Sequence, residues 1–182
     1  MARLYLIRHG KAAGSWDTHP DPGLDDVGRE QAEAMAAALT ALGPLPLVTS
    51  PLRRTRETAA ALERRWAMSA EVDSRVGEIP SPPTAVAHRG EWLRNVLQSR
   101  WHNLDQSLGL WRAQVLKRLG EFTQDTVVVS HFVAINVAVG HILQDDRVTC
   151  FRPENCSCTV LDIQDRHWKI VELGIEGECK VF

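Results

Sequence analysis

The chain has 182 residues, 44% hydrophobic and 24% charged, with a formal net charge of −2. A chain of this size buries roughly two-thirds of its unfolded surface as one domain, so disulfide staples are not required. Its composition excludes wholesale disorder, and its small negative charge argues against a general nucleic-acid or membrane binder.

Leu4–Ile7 reads as a short strand buried on both faces, and Gly10 lets the chain turn sharply behind it. Arg8 and His9 therefore fall at a strand end. Residues 12–23 are a loop of small residues and proline, and residues 24–43 then carry a helical pattern. Asp25 can cap this helix, Gly43 can end it, and Gln31, Met35, Leu39 and Leu42 share a face. Residues 46–50, "PLVTS", are a second buried strand leading directly into a helix over 51–67, with Thr55, Ala59, Leu62 and Trp66 as its core stripe. Glu71–Asp73 reads as a brief further strand.

From about 76 to 110 the character changes: a proline-rich "IPSPP" is followed by Trp92 and Trp101, with Trp111 just beyond, among arginines and histidines. We read this stretch as an inserted cover on one domain spanning 1–182. Residues 111–122 are helical, 126–130 ("TVVVS") are another buried strand, and 131–143 form a helix with Ile135, Val139 and Ile142 inward. "CTVLDI" and "WKIVEL" read as an antiparallel hairpin. All four cysteines lie in the last third; with no second pair at ligand spacing they read as buried free thiols rather than a zinc site. No run approaches the roughly 20 apolar residues of a membrane span. The amino terminus lacks a secretory pattern, so the expected location is cytoplasmic.

Alternating strands and helices imply an α/β fold, a mostly parallel sheet flanked by helices on both faces. Ligands bind such sheets beyond the carboxyl ends of the strands. Three strands here end in polar groups: Arg8-His9-Gly10, Thr49-Ser50 with Arg53 and Arg54 close behind, and Ser130-His131. Converging histidines and arginines suit a dianionic phosphoryl group, because guanidinium forks match its oxygens and stay charged. Those charges also keep a neighbouring imidazole neutral and nucleophilic. Helices beginning after Ser50 and at His131 would add backbone N–H groups. From Pro80 to Arg118 six Lys/Arg stand against two acids, a basic stretch that suits a small anion or a solvated surface.

"LIRHG", "SPLRRTRETA" and "VVVSHF", in that order and each at an expected strand end, resemble the histidine phosphatase superfamily, the phosphoglycerate mutase-like fold, in its phosphatase branch. "LDDVGREQA" and the terminal hairpin match in order as well. The resemblance implies that His9 attacks phosphorus and becomes phosphohistidine, with Arg8, Arg54 and His131 binding the phosphoryl group. Arg54, four residues after the serine, is favoured over Arg53. It also implies an acid in the segment after the second helix. Glu78 is the candidate general acid/base, with Glu71 and Asp73 as local competitors. No metal and no cofactor is implied, and the implied partner is a small phosphorylated substrate.

Lys11-Ala12-Ala13-Gly14 replaces the polar stretch ending in Trp-Asn of the mutase branch, and the cover is compact. A phosphoenzyme shielded by a short lid is exposed to water, which favours hydrolysis over mutase transfer. A catalytically silent phospho-ligand binding module would keep the arginines yet need neither His9 nor an acid. A metal hydrolase would need more acids at the strand ends than are present. Among the other histidines, His88 and His102 are the secondary candidates for substrate contact. Arg89, Arg94, Arg100 and Arg112 are candidates for a second anionic group on the substrate.

Overall fold

The computed structural model describes residues 1–14, 21–82, 88–165 and 167–177; His19 and Cys179 lie outside these. The strands are β1 (Ala2–Arg8), β2 (Leu47–Thr49), β3 (Glu71–Val72), β4 (Thr126–Ser130), β5 (Cys158–Gln164) and β6 (His167–Glu172). The helices are α1 (Asp26–Leu39), α2 (Arg53–Trp66), α3 (Arg89–Leu97), α4 (Gln106–Gly120) and α5 (Phe132–Leu143). The strands form one sheet in the order β3-β2-β4-β1-β5-β6. The β1–β4, β2–β4 and β2–β3 pairs are parallel, while β5 and β6 add an antiparallel hairpin, so the sheet is mixed with a parallel core.

Strand alternation sends successive side chains to opposite faces. Leu4, Leu6 and Val128 pack on one side with α3, α4 and α5; Ile7, Leu47, Val127 and Val129 pack on the other with α1 and α2. Helix α5 is buried along Phe132–Gly140, as befits a helix that is apolar on all sides. The expected stripe of α2 is intact: Thr55, Ala59, Leu62 and Trp66 are all buried.

Three expectations shift. The buried face of α1 is Gly28, Ala32, Met35 and Ala36, so only Met35 of the expected four is fully inside. Gln31 instead accepts the Lys11 backbone N–H at 2.9 Å. The cause is close packing: a Cβ on Gly28 would lie 2.1 Å from the Lys11 carbonyl oxygen, which holds the loop after β1 hard against α1. Helix α4 starts at Gln106, five residues before the apolar pattern suggested. Finally, Leu93, Val96, Trp101 and Leu108, from the stretch read as a cover, belong to the same cluster as Leu4 and Val128. The inward side of that stretch is core.

Cys150, Cys156 and Cys158 are free thiols. Burial pushes Cys150 up to about 11 and both Cys156 and Cys158 up to about 12, so all three are protonated and unreactive at neutral pH. No helix among the described residues is long and apolar enough to cross a membrane.

Candidate active site

The parallel register places the site. Arg8 pairs with Ser130 across β1 and β4, and Thr49 pairs with Val129 across β2 and β4, so the three strands end at one level. The His9 N–H donates to the Ser130 carbonyl at 3.1 Å, and the Ser50 N–H to the Val129 carbonyl at 3.2 Å. His9 and His131 are thereby brought edge to face, ring centroids 5.3 Å apart.

Arg54, on the first turn of α2 and 1% exposed, links the two rings. Its Nε donates to His9 Nε2 at 3.2 Å, and its Nη2 lies 3.3 Å from His131 Nδ1. Glu78 completes the cluster, with Oε2 at 3.5 Å from Arg54 Nη2 and 3.4 Å from His131 Nδ1. Its other oxygen accepts the Ile79 N–H at 3.0 Å, which leaves Oε2 directed at the cluster. Ser130 Oγ donates to the Val76 carbonyl at 2.7 Å and so ties the Glu78 segment to the end of β4. The fifth group, Arg8, is 4% exposed. Its Nη1 donates to the Pro153 carbonyl at 2.9 Å, and its guanidinium lies over the Phe132 ring, 5.2 Å from the centroid.

Hydrogen bonding fixes the His9 tautomer. His9 Nδ1 sits 2.7 Å from the Gly10 carbonyl oxygen, an acceptor only, so Nδ1 carries the proton and Nε2 keeps its lone pair. Burial first, then the Arg54 and Arg8 guanidiniums, hold the His9 imidazole well below its usual range. The same causes, burial leading, depress His131. Burial pushes the Glu78 carboxyl up even though Arg54 and Arg8 pull it down. Burial also lowers Arg54, with the Glu78 and Asp21 carboxylates drawing it back up. Two imidazoles held toward their neutral form and a carboxyl whose protonated form burial favours therefore surround two guanidiniums. His9, Glu78 and His131 have donor atoms within 4.8 Å of one another, as a metal site would. The Arg54 cation hydrogen-bonded among them opposes a divalent ion and suits an anion.

The competing candidates lie elsewhere. Arg53 is 67% exposed at the side chain and pairs with Glu57 through Nε at 2.6 Å. Asp73 is held by Arg118 at 2.6 Å and Arg75 at 2.8 Å, and Glu71 is exposed. The expected contribution of the α2 N-terminus is largely pre-empted, because the Arg53 N–H donates to Asp21 Oδ1 at 2.9 Å and the Leu52 N–H to Ser50 Oγ at 3.2 Å. Helix α5 begins behind His131 with no side-chain cap. Trp101 stacks on Trp111, 6.2 Å between centroids, with Arg112 over the Trp101 ring. The Trp101 N–H bonds the Asp146 carbonyl beyond the far end of α5. A helix of 12 residues is about 18 Å long. Trp101, Trp111 and Arg112 thus pack on one another toward the far end of α5, where the exposed His102 pairs with Asp146. Arg100 bridges Arg147 at that same end.

Ser50 stands at a strand end that the sequence marks, though its contact with His131 does not show there, and three further groups escape the sequence patterns. Ser50 Oγ is 2.7 Å from His131 Nε2 and already accepts the Leu52 N–H, so its hydroxyl orients the ring. Thr58 Oγ1, one turn after Arg54, accepts the Gly10 N–H at 3.0 Å. Asn155 Nδ2 donates to the His9 carbonyl at 2.8 Å. Buried Asn136 accepts the Cys150 and Phe151 N–H groups at 2.8 and 3.1 Å and so shapes the segment leading to Pro153. The i, i+4 spacing of Arg54 and Thr58 was the one available signal; the others act across 81, 146 and 14 or more residues of chain.

Among curated proteins, the chain is 39% identical over 96 residues to glucosyl-3-phosphoglycerate phosphatase of Mycolicibacterium vanbaalenii, a match spanning 50% of this chain and only 39% of that relative. It is 26% identical over 204 residues to phosphoserine phosphatase 1 of Hydrogenobacter thermophilus, covering 96% of this chain and 93% of that one. Among solved structures, a putative alpha-ribazole-5'-P phosphatase from Escherichia coli superposes with a TM-score of 0.75 at 20% identity, covering 96% of each chain, and shares the fold. Residues 4–176 match the family model of the histidine phosphatase superfamily, branch 1, and the chain belongs to that superfamily.

Proposed function

We propose that the protein hydrolyses small phosphomonoesters through a phosphohistidine on His9, in the cytoplasm and without a metal. The observation that carries this reading is the pairing of His9 Nδ1 with the Gly10 carbonyl, which leaves Nε2 with a lone pair beside Arg54. In the first step that lone pair attacks phosphorus, the P–O ester bond breaks, and Glu78 gives its proton to the departing oxygen. In the second, water attacks the phosphohistidine, the Glu78 carboxylate takes a proton from it, and the P–N bond electrons return to Nε2 as orthophosphate leaves. Arg8, Arg54 and His131 hold the equatorial oxygens, where charge accumulates in a loose transition state.

Rapid acid-free quenching during turnover of a labelled monoester tests the reading. The expected product is an acid-labile, alkali-resistant label on His9 that is lost in His9→Ala together with turnover. Full turnover in His9→Ala would overturn it.

A further inference from the structure

The mouth of the site carries a carboxylate that the proposed chemistry does not use. Asp21 Oδ1 lies 3.9 Å from Arg54 Nη1, and the two side chains differ sharply in exposure, 44% for Asp21 against 2% for Arg54. Arg54 meets the imidazoles through Nε and Nη2 and the half-exposed Asp21 carboxylate through Nη1.

Asp21 is held there. Its Oδ1 accepts the Arg53 N–H at 2.9 Å, supplying the cap that Leu52 cannot give to α2. Three residues on, the Leu24 N–H donates to Glu57 Oε2 at 2.7 Å. A Cβ on intervening Gly23 would lie 2.7 Å from the Glu57 carboxylate, so segment 21–24 lies flush on the first turns of α2. Asp21 Oδ2 has no partner among the described residues. Arg54, at 3.9 Å, offsets this charge in part, whereas Arg53 is turned onto Glu57 and Lys11 pairs with Asp25 at 2.8 Å.

We propose that Asp21 sets substrate class at this mouth: it disfavours monoesters with a second anionic group close to the phosphate and favours those with a neutral or cationic group there. This rests on the phosphomonoesterase reading given above. The phosphoryl group itself still binds, because Arg8 and Arg54 meet it directly; the carboxylate acts on whatever projects outward from the ester oxygen. A charge a few ångströms away in a partly solvated mouth shifts affinity by about tenfold when the substrate's charge is reversed, and salt reduces the shift.

The test is Asp21→Asn, which keeps an oxygen to accept the Arg53 N–H and removes only the charge. Wild type and variant are compared on phosphoglycolate, propyl phosphate and phosphoethanolamine, which carry a carboxylate, a methyl group and an ammonium near the phosphate. The expected result is a rise of about tenfold in the phosphoglycolate-to-phosphoethanolamine ratio of kcat/KM, with propyl phosphate between them, shrinking at high ionic strength. Calorimetric dissociation constants for the first and last ligand should move in the same ratio, which tests Asp21 even in protein that turns nothing over. Asp21→Ser provides a second charge-free variant. A common factor for all three esters, with unchanged ratios in both measurements, would mean that Asp21 only positions Arg54 and would overturn the proposal. Absence of any turnover by wild type, with the binding ratio shifting as stated, would instead count against the phosphatase reading.

Discussion

Glu78→Gln separates the two proton transfers from phosphoryl binding. Gln preserves volume and keeps an oxygen for the Ile79 N–H, now at 3.0 Å, while the atom in the place of Oε2, 3.4 Å from His131 and 3.5 Å from Arg54, can no longer give or take the required proton. A positioned general acid is worth about 10²–10⁴ in rate, or roughly 3–5.5 kcal/mol of barrier. An alkyl phosphate, whose alkoxide is a poor leaving group, should lose that whole factor in kcat/KM. An activated aryl phosphate departs with little protonation and should lose less than about tenfold in its first step. The second step still needs a base, so the variant should release one equivalent of phenol in a burst and then stall as phosphohistidine, visible by stopped-flow absorbance and quenched labelling. The pH profile adds a sign. The proposed mechanism needs neutral His9, depressed from its usual value, and protonated Glu78, raised from its own, so activity should rise as the first loses its proton and fall as the second does. The falling limb should vanish in the variant. Equal losses for alkyl and aryl esters, with no burst and the falling limb intact, would refute Glu78 as the acid.

The hydroxyl behind His131 gives a second test: Ser50→Ala leaves a buried ring nitrogen without its 2.7 Å partner, a cost of about 1–3 kcal/mol, and kcat should fall about tenfold or more while the far-ultraviolet spectrum is unchanged. Trp101→Ala, toward the far end of α5 and 6% exposed, should cost about 3–5 kcal/mol in urea unfolding with kcat unaltered; a selective loss of kcat would return Trp101 to the substrate. Acid should destabilise the fold through His9 and His131. Both have folded pKa values depressed below the unfolded one, so their contribution is full above about 6.5 and drains as pH falls, by up to roughly 1.4 kcal/mol per pH unit for each. Glu78, raised in the folded state, contributes with the opposite sign, so Glu78→Gln should steepen the fall in Tm between pH 7 and 5.

What could be read from sequence follows from how each group acts. The β1, β2 and β4 runs are continuous apolar stretches ending in polar residues, and parallel pairing forces those ends together, so His9 and His131 were legible from the pattern, while Arg54 was separated from Arg53 only through the family resemblance. Glu78 was legible only through the family resemblance, because it lies on an irregular segment fixed by Ser130 and its own neighbour. The α1 face was misjudged because Gly28, Ala32 and Ala36 are buried by close approach of backbone, which a search for large apolar residues overlooks. Helix α3 has nine residues, too few for a period to stand out from its arginines. Pro153 contributes a backbone carbonyl, which any residue at that position could offer, and so left no trace in composition.

The site's ionisation pattern follows from burial competing with two guanidiniums. Had Coulomb attraction to Arg8 and Arg54 prevailed, Glu78 would be an ordinary ion pair, unable to protonate a leaving group. Burial outweighs the guanidiniums for Glu78, and for the imidazoles burial and the guanidiniums push the same way, so one environment favours the neutral form of all three. A phosphoryl dianion strengthens this arrangement, since its oxygens take up the guanidinium charge that had been pulling the Glu78 proton away. In the proposed reaction, the carboxylate left when the alcohol departs with that proton stays beside Arg54 and draws a proton from the incoming water. In the proposed reaction the desolvation cost of the buried Arg54 is offset wherever negative charge arrives or moves, which calls for a first turn of α2 pinned by Asp21, Ser50 and Thr58, whose Oγ1 donates to the Arg54 carbonyl.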